Sequence, residues 1–207
     1  MGFLGMFNKG KVGGLVHYLN LDGFWFSLTQ TQREQMIRYG NSGVGQSGSI
    51  AEGTVSYSSA RPLQFLTNML TWAVADHDYD LSDRIIEYSS KIADGSTLVD
   101  QHFFLTSAAD CYYKQRETRD LALSLAEQYY KKDIELFPRY KSPLKKEMGG
   151  VLPRIPSFSQ LAILYEKSGR YQEAIDICRL AVKNNVRDNT KSGFEGRIEK
   201  LGKKLHT

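Results

Sequence analysis

From Phe158 to Val182 the chain reads FSQLAILYEKSGRYQEAIDICRLAV, large and small residues alternating at helical spacing. Two packed antiparallel helices satisfy that pattern. Leu161, Ala162 and Tyr165 share one helical face, Gly169 breaks the helix, and Tyr171, Ala174, Cys178 and Ala181 form a second stripe. Small residues at Ala162, Ala174 and Ala181 let two axes approach closely, while Phe158, Tyr165 and Tyr171 fill the space beside them.

Looser versions of the same pattern precede it. After Pro62, an early-helix proline, the stripe Leu63, Leu66, Leu70 and Val74 predicts a helix over 63–74. A polar turn, DHDYD, leads into a second helix over 81–93 with Leu81, Ile85, Tyr88 and Ile92 as its stripe. Another pair is expected from about Leu98 to Lys114 and from about Thr118 to Phe137, with Ala108, Ala109, Ala122 and Ala126 near the crossings. The stretch 137–156 holds four of the chain's five prolines and the Gly149-Gly150 pair, and so predicts a long Pro-rich loop. Phe194, Ile198, Leu201 and Leu205 mark one last amphipathic helix.

The residues of 155–187 resemble a tetratricopeptide (TPR) repeat. Its aromatic opener falls at Phe158, the Leu-Ala step at Leu161 and Ala162, the tyrosine at Tyr165, the Gly-Arg-Tyr turn at Gly169 and the later alanines at Ala174 and Ala181; Val186 stands where the closing proline is usual. Second helices beginning near residues 81, 119 and 171 give a first interval close to the roughly 34 residues of such a unit. The second interval is longer by about the length of the Pro-rich stretch. The resemblance is loose over 60–137 and absent before residue 60. The fold expected is all-α: a TPR-like α-solenoid of about three helical hairpins over 60–207, closed by a C-terminal capping helix.

Residues 1–58 are expected to form an irregular, partly helical N-terminal extension. Val12 to Leu19 could start a short helix, and Asp22-Gly23 reads as a turn. A helix is expected over 29–39, with Thr31 and Glu34 at capping-box spacing and Gly40 as its stop, followed by a Gly/Ser-rich loop over 40–59.

Chemistry is sparse. Gly40 to Ser47, GNSGVGQS, falls one residue short of a phosphate-binding loop, because Gln46 replaces the lysine and no apolar strand precedes it. Asp76, Asp78, Asp80 and Glu87 take positions of a calcium loop whose required glycine is Leu81, so an interhelical turn with an acidic or Ser82 cap is the expected structure. His17, His77, His102 and His206 show no ligand spacing, and Cys111 and Cys178 sit on core stripes as buried thiols. No cofactor, metal or catalytic constellation is expected.

Charge is uneven around a net +4. Seven acids face two bases over 76–100, seven bases face three acids over 131–154, and nine bases face five acids from Arg170 onward. The resemblance implies a groove lined by the first helix of each pair. Candidate partner-binding residues are therefore Asn68, Gln101, Gln160 and Lys167, with Lys141, Lys145, Lys146 and Arg154 adding a basic rim. The expected function is non-enzymatic binding of a peptide or partner protein, of acidic character if the basic rim takes part. Nucleic-acid association through the basic C-terminal half, and homo-oligomerisation through the aromatics at Phe24 to Phe26, are the alternatives. No apolar run approaches the roughly 20 residues of a membrane span. The N-terminus, apolar first and basic second, reverses the order of a secretory signal, so the cytoplasm is the expected compartment.

Overall fold

The computed structural model describes residues 11–44 and 50–205, apart from the side chains of 42–44; among them the regular structure is all helix, without a strand. No described helix is long and apolar enough to cross a membrane. The chain divides into two compact units, Met1–Ile92 and Ala93–Thr207. That boundary falls one hairpin later than the division near residue 59 expected from the sequence.

The first unit contains α1 (Gly14–Tyr18), α2 (Asp22–Ser27), α3 (Gln30–Val44), α4 (Pro62–Ala75) and α5 (Tyr79–Ile92). The N–H groups that open α1 donate to the segment 50–53: Gly13 to the Ala51 carbonyl at 2.8 Å, Gly14 to Gly53 at 2.9 Å and Val16 to Ile50 at 2.9 Å. A side chain at Gly13 would lie 2.5 Å from the Gly53 carbonyl, so the approach requires glycine.

Three expectations for this unit are corrected. Asp22 opens α2 instead of forming a turn. The capping box lies two residues earlier than expected: the Gln32 N–H donates to Thr29 Oγ1 and the Thr29 N–H to Gln32 Oε1. Gly40 does not stop the helix at 39, since α3 runs to Val44. Its role is packing, because a Cβ there would sit 2.3 Å from the fully buried Ile50. The loop expected over 40–59 is thus helical over 40–44; the rest of the phosphate-loop candidate, 45–47, lies outside the described residues.

On α4 the expected stripe is buried, with Leu63, Leu66 and Leu70 fully enclosed and Val74 nearly so. In the DHDYD turn the carboxylates serve separate structural ends. Asp76 pairs with Arg38 of α3, and Asp78 Oδ1 accepts the Leu81 N–H as the cap of α5.

The second unit contains α6 (Leu98–Lys114), α7 (Ala122–Glu147), α8 (Pro156–Lys167), α9 (Tyr171–Lys183) and α10 (Gly193–Leu205). The loop expected over 137–156 is corrected here, because α7 continues through Pro138 and Pro143. Each interior proline costs about 3 kcal/mol. Against that, Phe137, Tyr140 and Leu144 are all buried, each contributing roughly 1.5–3 kcal/mol, while both prolines face solvent. The stripe Ala126, Tyr130, Ile134, Phe137, Tyr140 and Leu144 holds helical spacing across both prolines, and burial prevails. Gly150, at φ 90°, then returns its N–H to the Lys145 carbonyl and closes the helix, leaving 148–155 as the connection.

The pair α8–α9 packs as the alternation requires. Phe158, Leu161, Ala162, Ala174, Cys178 and Ala181 are all fully buried, and Gly169 turns the chain at φ 73°. Burial pushes the Cys178 thiol up to about 12, so it stays protonated and inert. The last helix buries Phe194 and Leu201 but leaves Leu205 exposed, a narrower stripe than the sequence suggests.

Candidate functional site

A buried polar knot fixes where α6, α7 and α8 meet. Asp133 of α7 receives His102 Nδ1 of α6 at 2.7 Å on one oxygen. Its other oxygen takes the hydroxyls of Ser157 (α8) at 2.5 Å and Tyr140 at 3.2 Å. The His102 ring stacks on Tyr140 at 4.4 Å. A serine, a histidine and an aspartate therefore meet, but the serine donates to the carboxylate instead of the imidazole, and all three are buried. Nucleophilic chemistry needs the opposite hydrogen bond and access to solvent. The arrangement locks three helices together.

Held by that knot, α6 and α8 expose one contiguous face. On α6 the positions Phe103, Ser107, Asp110 and Lys114 recur at helical spacing and are partly or fully exposed; on α8 Gln160, Ile163 and Lys167 do the same. The two stripes meet where Lys167 Nζ donates to Tyr113 OH at 3.3 Å and lies 5.9 Å from that ring. The Arg116 guanidinium covers the same ring at 4.7 Å. One turn earlier on α6, Asp110 accepts the Tyr130 hydroxyl at 2.5 Å. Burial raises the Asp110 carboxyl above its ordinary range, while the hydroxyl and the charges of Lys114 and Arg154 pull against that rise. The face thus presents Lys114, Arg154 and Lys167 around the Tyr113 ring and the Asp110 carboxylate, with Arg116 paired to Glu117 at 3.2 Å.

Of the residues singled out in the sequence, Arg154, Gln160 and Lys167 belong to this face. Gln101 does not: its amide donates to the Ser96 carbonyl behind the start of α6. Lys141 is likewise structural, with Nζ donating to the Asn184 carbonyl at the end of α9 at 2.7 Å. Lys145 and Lys146 stand exposed on the last turn of α7, and Asn68 lies on α4 in the first unit. Tyr113, Lys114 and Arg116 are not singled out by the sequence, because they fall at the polar end of the helix expected to Lys114 and in the short connection after it.

Much of the basic C-terminal half is spent on packing. Glu166 draws in Lys204 at 2.9 Å, Arg197 at 3.5 Å and Lys200 at 3.9 Å, which ties α10 to α8 and holds the Glu166 carboxyl below its ordinary range. Glu127 of α7 accepts both Arg170 nitrogens, Lys131 and the Tyr165 hydroxyl, and is held down at about 2.

An uncharacterized protein of Aquifex aeolicus (strain VF5) is 28% identical to this chain over 122 residues. That match covers 59% of this chain and 57% of the relative's own length. No family model and no solved structure matches.

Proposed function

We propose that the chain is a non-enzymatic, TPR-like helical-repeat protein that holds a peptide or partner protein on the α6–α8 face. The observation that carries the reading is the meeting of two solvent-facing stripes on consecutive first helices, bridged by Lys167 on Tyr113. Such a face recognises a chain laid across it, and its three remaining cations, Lys114, Arg154 and Lys167, favour a partner of acidic character. Nucleic acid fits less well, since Arg197, Lys200 and Lys204 are drawn to Glu166 and the cationic area left is short.

Affinity capture from the native lysate, with and without nuclease, tests this. A partner protein that survives nuclease and is lost on combined Lys114→Glu, Arg154→Glu and Lys167→Glu supports the reading. Recovery of nuclease-sensitive material alone, or a partner retained by the triple variant, overturns it.

A further inference from the structure

The C-terminal end of α7 runs on past the start of the helix that follows it. Ser157 donates to Asp133 at 2.5 Å and the Phe158 ring meets Phe137 edge to face at 5.4 Å, so α8 opens level with the middle of α7. From Phe137 to Glu147 the longer helix continues for about 15 Å, at about 1.5 Å per residue. Its last turn and the reversal after it, residues 145–151, are exposed without interruption. Within that tip Met148 is 43% and Val151 66% exposed, although both are apolar.

The backbone of the tip is closed on itself. The N–H groups of Met148, Gly149, Gly150 and Val151 donate to the carbonyls of Leu144, Lys146, Lys145 and Met148 at 3.0, 3.3, 2.8 and 3.5 Å. Gly149 and Gly150, at φ 68° and 90°, make that reversal possible. The tip can therefore leave water without orphaning a backbone donor of the turn. Cations border it. Lys145 and Lys146 stand exposed on the last turn of α7. One turn back, Lys141 holds the Asn184 carbonyl at 2.7 Å, which brings the exposed Lys183 and Arg187 to the same end of the unit. Glu147 is the acid within the tip, while Asp188, beside Arg187, is turned to Arg197.

A convex tip has no concavity in which to enclose a peptide. Nucleic acid would meet the lysines but offer nothing to Met148 and Val151. A bilayer interface satisfies both, with anionic headgroups for the cations and the acyl boundary for the apolar side chains. We infer that the α7 tip docks on an anionic phospholipid bilayer, Met148 and Val151 entering the interface while Lys145 and Lys146 stay among the headgroups. This is a surface contact, separate from the crossing that no described helix can make, and it goes beyond the reading given for the α6–α8 face.

The test is flotation of the full chain with vesicles of phosphatidylcholine alone, or of phosphatidylcholine and phosphatidylglycerol in equal parts. Binding is expected with the mixed vesicles only. Met148→Asn combined with Val151→Asn, both at exposed positions, should lower that affinity by about fivefold or more. Lys145→Gln combined with Lys146→Gln should lower it by about tenfold or more. Entry into the interface is read from a nitrobenzoxadiazole label on Val151→Cys, which is selective because Cys111 and Cys178 are buried. Its emission should shift to the blue on mixed vesicles, whereas the same label on Glu135→Cys, further back on the exposed side of α7, should not shift. The labelled pair keeps the test decisive if a double variant misfolds. The inference is overturned by no binding to the mixed vesicles, by equal binding to phosphatidylcholine alone, by wild-type affinity in the Met148 and Val151 variant, by an unshifted Val151 label, or by nucleic acid at equal phosphate displacing the chain from the vesicles.

Discussion

Replacing Glu127 by glutamine removes a charge on which three elements of the second unit depend. The carboxylate accepts Arg170 at 2.7 and 3.1 Å, Tyr165 at 3.0 Å and Lys131 at 2.6 Å, and its side chain is 18% exposed. A carboxyl held at about 2 against an ordinary 4.5 corresponds to about 3.5 kcal/mol, at roughly 1.4 kcal/mol per pH unit. Arg170 keeps its pair with Glu173 and is itself 35% exposed, so screening and the second acid reduce the loss to about 2 kcal/mol. Because the folded-state value lies below the unfolded one, the stabilisation is complete above about pH 4.5 and fades as pH falls toward about 2. Urea unfolding of wild type and Glu127→Gln, followed by far-UV circular dichroism, should differ by about 2 kcal/mol at about pH 7 and by less than half of that at about pH 3. A difference under about 0.5 kcal/mol at neutral pH, or one that does not shrink in acid, refutes the reasoning.

Two other substitutions test the corrections to the sequence reading. Pro138→Ala combined with Pro143→Ala should raise stability by about 4–5 kcal/mol, at about 3 kcal/mol for each exposed interior proline less the roughly 0.4–1 kcal/mol each gives by restricting the unfolded chain; destabilisation would show that the prolines build a loop. Gly40→Ala should destabilise by about 1–3 kcal/mol through overpacking against Ile50, and a second change, Ile50→Ala, should recover part of that loss; an unaffected melting temperature for Gly40→Ala would place Gly40 away from Ile50.

The parts of the fold read correctly from sequence are those whose determinants are local. The α8–α9 alternation and the Leu63, Leu66 and Leu70 stripe need neighbours no further than one hairpin away, and their periodicity states which face is buried. The failures share a different cause. Gly40 reads as a stop until Ile50, ten positions on, occupies the space its missing Cβ leaves. The prolines of α7 read as breakers until Tyr140 and Phe137 find partners on α6 and α8. Arg197 and Lys204 read as a basic tail until Glu166 takes them up. On the α6–α8 face Arg154, Gln160 and Lys167 are legible as polar positions, whereas nothing local marks Tyr113, on which Arg116 and Lys167 rest.

The length of α7 has a consequence for how the second unit can evolve. At about 1.5 Å per residue its 26 residues run about 39 Å. Over that length it packs along α6, supplies Asp133 to Ser157 of α8, and reaches past α8 to the end of α9 through Lys141. In arrays of hairpins that touch their neighbours alone, stability is a sum over modules, and a module can be duplicated or lost with little penalty to the rest. Here α7 instead grips both helices of the hairpin that follows it, which makes that one junction costly to interrupt. Excising or inserting a hairpin between α6 and α9 would orphan a buried carboxylate and an unfilled helix cap together. This unit is therefore constrained to change by substitution along the length of α7, and a rearrangement at α9 must also break the hold of Glu166 on α10.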